Sequence, residues 1–101
     1  MADELSTLAA ADFAPYLNQG FTVRFEPGAE LTAQLVEVRE TENYSPAPRK
    51  PFFIVLRTEQ KDRFYPQGIY TIIHPDKGEI SLFLVPLGAD SQGMQYEAVF
   101  S

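Results

Sequence analysis

The chain has 101 residues and no cysteine, which closes off disulfide scaffolds, thiolate metal centres and cysteine nucleophiles. Tryptophan is absent as well, and histidine occurs once, at position 74. With one imidazole and no thiol, only carboxylates and carbonyls remain as metal ligands. Long apolar runs are missing too: nothing approaches the roughly 20 residues of a membrane-spanning helix. The opening "MADELSTLAAADF" lacks both a basic start and a long apolar stretch, so no signal peptide is expected. A cytoplasmic location is the default expectation, and assembly into a particle is compatible with the same features.

Basic residues are scarce. Eight Lys and Arg stand against 14 Asp and Glu, a formal net charge of −6. Nucleic-acid binders draw much of their affinity from neutralising phosphates, usually with a basic patch. Here the basic residues are scattered, and the one local pair, Arg49-Lys50, lies between Pro48 and Pro51. Neither nucleic acid nor an anionic membrane surface is an expected partner.

Aromatic residues are plentiful: eight Phe and five Tyr, 13% of the chain. They favour a β-sheet core, where flat side chains pack well. Length and an ordinary 45% hydrophobic, 22% charged balance indicate one domain over residues 1–101, large enough to be held by its own core. One helix is expected, over 5–18. Leu5, Leu8, Ala9, Phe13 and Leu17 approximate a 3.6-residue spacing, Ser6 or Thr7 can cap the start, and Pro15 implies a tight or 3₁₀ turn toward Asn18.

From 20 to 101 the period is two. "FTVRF" alternates, and "EPGAE" is a turn. In "LTAQLVEVRE" the apolar positions switch from odd (Leu31, Ala33, Leu35) to even (Val36, Val38), which calls for a β-bulge near Leu35–Val36 or a bent strand. "TENYSPAPRKP" reads as a loop. "FFIVLRT" is apolar on both faces, and "IYTIIH", "GEISLFLVP" and "MQYEAVF" complete six strands. The expected fold is all-β and mainly antiparallel: a small six-stranded barrel, or a barrel-like sandwich, with one short N-terminal helix.

The polar residues do not assemble a reaction centre. His74 ends a strand, Pro75 and Gly78 suit the corners of the hairpin that follows, and Asp76 falls within reach of the turn backbone. Ser81 lies several residues up the opposite strand, but no strained nucleophile elbow or Gly-rich oxyanion loop accompanies it. Asp90 in "GADSQG" is a single carboxylate where a calcium loop needs several. Glu37, Glu40 and Glu42 alternate along a strand end, while Glu79 and Glu97 alternate with buried neighbours and should face solvent. "QGIY" and "KGEI" each offer one Gly and no following helix, so no phosphate cradle forms. No catalytic, cofactor-binding or metal-binding residue is assigned. Large aromatics in otherwise polar loops, Tyr44, Phe64 and Tyr65, are the candidates for contact with a partner; covering the barrel ends is the competing use.

Taken together, "PFFIVLR", "QGIYTIIHPDKGEISLFLVPLGAD" and "YEAVF" resemble an uncharacterised bacterial domain family of about a hundred residues. The resemblance runs from a Leu/Phe-containing helix and the step from Phe13 to Phe21, through Pro51-Phe52, to the hairpin of Ile69, Tyr70, His74, Pro75 and Gly78. It continues through Leu82 to Pro86 and Tyr96 to Phe100. Asn18 stands where a helix-ending Gly is typical. The resemblance implies no activity or catalytic residue; it implies accessory proteins encoded near phage-tail-collar-like genes, hence a particle-associated role. The expectation is therefore a non-enzymatic protein-interaction or assembly module, with a protein partner or a second copy of itself. The alternative is a small-ligand-binding barrel, although large inward Phe and Leu should fill so narrow an interior.

Overall fold

The computed structural model describes residues 8–41, 51–60 and 63–100. Six strands follow the two-residue pattern: β1 (Gly20–Glu26), β2 (Ala29–Glu40), β3 (Phe52–Arg57), β4 (Gly68–His74), β5 (Gly78–Ala89) and β6 (Met94–Phe100). All neighbours are antiparallel, in the order β1-β2-β3-β6-β5-β4, and β4 returns to β1 through Thr22↔Ile73, Val23↔Ile72 and Arg24↔Thr71. That last ladder makes a closed barrel of what could have been two facing sheets.

Alternation sends one set of side chains inward. Phe21, Val23 and Phe25 of β1, Phe52, Ile54 and Leu56 of β3, and Ile80, Leu82 and Leu84 of β5 are all buried. β2 changes phase where the sequence requires it: Leu35 opposes Leu56, Glu37 opposes Val55, and Val36 is the extra residue of a bulge. Leu35 and Val38 can thus both turn toward the interior despite their odd spacing. The β4–β5 hairpin closes on the pair His74↔Gly78, with Gly78 at φ 76°, a conformation costly for any residue with a Cβ.

The short N-terminal helix takes the form of two successive 3₁₀ turns, Ala10–Asp12 and Ala14–Tyr16. Pro15 lacks the N–H that an α-helical bond to residue 11 would use, so tighter i→i+3 bonds form instead, among them Phe13 N–H to Ala10 C=O and Leu17 N–H to Ala14 C=O. The Asp12 carboxylate caps the segment by accepting the Ala9 N–H at 2.8 Å. Ser6 and Thr7, the expected caps, lie outside the described residues. Asn18 then takes φ 72°, supplying the left-handed turn for which Gly is the usual choice. Its N–H donates to the Leu35 C=O, which sets the entry into β1.

A second tight junction lies where β6 begins. Thr58, just past β3, donates its N–H to the Met94 C=O at 2.9 Å, and Gly93 approaches so closely that an added Cβ would stand 1.7 Å from the Thr58 carbonyl oxygen. Gly93 also has φ 154°. Replacing Gly93 by Ala should cost at least about 2 kcal/mol, because backbone rather than a movable side chain must give way. Urea denaturation measures this, and a variant as stable as the parent would refute the close approach.

Candidate functional site

The two barrel ends differ from the middle in being lined by rings. At one end Phe13, from between the 3₁₀ turns, lies over the opening with no exposed surface. Its ring centroid is 5.8 Å from Phe100, 6.0 Å from Phe52 and 5.4 Å from His74, and Phe52 stacks on Phe100 at 4.3 Å. The imidazole of His74 is buried in this cluster, edge-on to Phe13, Tyr16 and Phe21. The main-chain N–H groups of Asp76 (3.0 Å) and Lys77 (3.3 Å) both aim at Nδ1, which is therefore the acceptor. Nε2 carries the hydrogen and donates to the Asp12 carbonyl at 2.7 Å. Both nitrogens are engaged, so the ring has no lone pair to offer a substrate or a metal. The same hairpin is tied to the plug by Tyr16, whose hydroxyl donates to Asp76 and whose phenol pKa is raised chiefly by that bond.

Ser81 is not brought to His74. It pairs with Thr71 and points outward, whereas His74 points inward. Glu79 and Glu97 also stand on the outer face, Glu79 within 3.3 Å of Arg24. Glu37 pairs with Arg39 at 2.9 Å, Glu40 is exposed, and Glu42 lies outside the described residues. Asp90 spends its carboxylate on its own loop: Oδ1 accepts the N–H groups of Gln92 (2.7 Å) and Gly93 (2.9 Å), and Oδ2 faces Gln95 and Arg57. Its pKa is lowered, first by the Gln92 N–H and then by Gly93 and Arg57, against the opposing effect of partial desolvation. Among the described residues no three His, Asp or Glu side chains form a group able to hold a metal.

Of the three loop aromatics, Tyr65 turns back over the second barrel end. It stacks on Phe25 at 4.4 Å, and its N–H donates to the Tyr96 hydroxyl at 2.9 Å. Tyr96 is fully buried, and that burial is the main reason its phenol pKa is raised. Phe64 remains 57% exposed, and Tyr44 lies outside the described residues. Between the two capped ends, Val23, Leu35, Ile54, Ile72 and Leu84 have no exposed surface, so side chains occupy the interior.

The outside is less fully used. Ile69 of β4 pairs with Phe83 of β5, and Val99 of β6 pairs with Phe53 of β3. The β5–β6 register, Val85↔Glu97, puts Phe83 and Val99 next in line beyond the paired stretch. The result is an apolar strip across four strands in which Ile69 is 73%, Phe83 53% and Val99 66% exposed. The strip is absent from the sequence reading, although "LFLVP" carries its signal by being apolar at both parities. No helix among the described residues is long and apolar enough to cross a membrane.

Residues 8–100, nearly the whole chain, match a family described as a domain of unknown function, DUF6916. The chain belongs to that family. No curated protein and no solved structure matches it.

Within this DUF6916 domain the imidazole is a tether between plug and hairpin. His74→Ala should lower stability by about 3 kcal/mol through the cavity and the orphaned Asp12 carbonyl, and His74→Phe, which keeps the volume, by about 2 kcal/mol. Losses below 1 kcal/mol in chemical denaturation would refute the tether. Asp90 predicts a pH effect of fixed sign. Its folded pKa is depressed, so its contribution is present above the ordinary carboxylate value of about 4 and disappears as pH falls through the lower folded value. Asp90→Asn should therefore flatten the acid limb of the stability curve below about pH 4. An unchanged acid limb would remove Asp90 from the account.

Proposed function

We propose that the domain is a non-enzymatic protein-interaction module that docks a partner protein on the strip of Ile69, Phe83 and Val99. What supports this is that three large apolar side chains, side by side on adjoining strands, remain more than half exposed on a barrel whose interior is already filled. Glu97 sits beside Val85, and the Glu37–Arg39 pair flanks Val55 and Phe53 on β2, so the unpaired charge beside the strip is acidic. With a net charge of −6, a partner carrying an apolar patch edged by Lys or Arg fits better than a second copy of this chain. Phe64, exposed in the loop before β4, is available to the same partner, and Tyr44 was the other loop aromatic expected to contribute.

A place in a larger protein particle, such as a phage-tail-like assembly, suits a small capped barrel with an adhesive outer face. It is proposed on that ground together with the family resemblance, as is residence in the cytoplasm before assembly. The ligand-binding alternative has less support, since the interior is occupied by side chains.

Phe83→Lys and Val99→Lys, alone and combined, test the reading. Both positions are exposed, so melting temperature should stay within a few degrees. Protein captured from native lysate by the parent should be lost by the double variant. Equal capture by both forms would overturn the assignment, as would a strictly monomeric parent that retains nothing.

A further inference from the structure

One place where two neighbouring strands part is the seam between β2 and β3. β3 ends at Arg57, opposite Gln34, yet β2 begins at Ala29. Residues 29–33 of β2 therefore have β1 on one side and no strand on the other. The direction of their main-chain groups follows from Leu35, whose N–H donates to Gln19 C=O (2.9 Å) and whose C=O accepts the Asn18 N–H (2.6 Å), both on the β1 side. Strand alternation then turns the N–H and C=O of Thr32 and Glu30 to the open side, about 7 Å apart. Among the described residues they meet no main-chain partner there.

The opposite bank is held away. Thr58 follows β6 through its bond to Met94 and its close approach to Gly93, so the chain from 58 to 60 departs from β2. Between the banks runs an open groove of about 790 Å³, with Glu30, Thr32 and Gln34 on one side and Arg57, Glu59 and Gln60 on the other. Thr58 also lines it, and its Oγ1 is buried without a hydrogen-bond partner; so is the Gln60 Oε1. Both atoms lie in the wall that faces β2, so this bank, like the edge of β2, has polar groups that the fold itself does not pair.

We infer that this seam receives an extended segment of a partner polypeptide, which runs beside β2 and pairs with the main chain of Thr32 and Glu30. The free groups recur at a two-residue spacing, which another extended chain matches and a sugar or nucleotide does not. Among the described residues the lining holds no aromatic platform for a sugar. The one cation among the described lining residues, Arg57, is engaged by Gln34 (2.9 Å) and Asp90 (3.4 Å) and is not free for a phosphate. Glu30 is held by Arg24 at 3.0 Å, but Glu59, exposed on the opposite bank, favours a segment with a Lys or Arg side chain. That preference, and the acidity of this chain, make a partner's segment a better occupant than a second copy.

A displayed library of random decapeptides, panned on the purified full chain, is the direct probe. Enriched peptides should contain Lys or Arg and, added to ¹⁵N-labelled protein, shift the amides of Glu30, Thr32, Thr58 and Gln60. Thr32→Pro removes only the N–H on the groove side and leaves the β1 ladder intact, so it should weaken binding at least tenfold. Glu59→Arg, at an exposed position, should weaken it at least fivefold and serves if the proline variant fails to fold. Phe83→Lys should have no effect, which separates this site from the outer strip. Failure to enrich any peptide, shifts confined to Ile69, Phe83 and Val99, or unchanged affinity in Glu59→Arg would each overturn the inference. Dimerisation of the free protein through the same four amides would overturn it in favour of a second copy.

Discussion

Everything in this domain answers to the ladder between β1 and β4. Once Val23 pairs with Ile72, the sheet has no outer edges except where its strands differ in length, and the enclosed space is fixed. An eight-stranded barrel is only just wide enough for side chains to fill, and six strands enclose less. The interior is consequently solid, and the openings at its ends are the weak points. Both are closed with rings: Phe13 over Phe21, Phe52 and Phe100 at one, Tyr65 over Phe25 and Tyr96 at the other. Much of the aromatic content of the chain is thus spent on capping.

A solid interior moves any binding to the outside, and the outside is uneven for reasons that trace to strand lengths and parity. β5 is apolar on both faces through Phe83, Val85 and Leu87, a surplus that closure does not absorb. β3 is shorter than β2, and its early end leaves part of β2 without a neighbour. The first feature presents hydrophobic area and the second presents main-chain hydrogen-bonding groups. These are the two currencies of polypeptide recognition, placed on different walls, so occupation of one need not block the other.

The strand pattern, the hairpin at Pro75–Gly78 and the bulge at Leu35–Glu37 were legible in the sequence because each is local. A phase switch in alternation has to be absorbed within a residue or two, and here it was. The role of His74 was not legible. Its partners include Asp12, Phe13 and Tyr16, about sixty positions away, and nothing near residue 74 announces them. The outer strip was legible only as a surplus of apolar residues, since their disposal depends on whether a neighbour covers them. The seam was hidden for another reason: it exists because β3 stops at one residue rather than two further on, and Gly93 draws Thr58 away. A sequence window cannot weigh that competition between β2 and β6.

Where the polar groups are used up is as informative as where they lie. His74 gives both nitrogens to main-chain groups, Asp90 gives both oxygens to its own loop and to the side chains of Gln95 and Arg57, and the Tyr96 hydroxyl is held by Tyr65. Each would attract notice as a catalytic candidate, and each is already committed to holding two segments together. The groups left over are not scattered at random. Thr32 and Glu30, whose main-chain groups lack a neighbour on one side, and Thr58 and Gln60, each with a buried oxygen that meets no partner, line one groove. Of these, the main-chain groups of Thr32 and Glu30 repeat at the spacing of an extended chain, which is why a polypeptide segment suits the groove better than a small molecule.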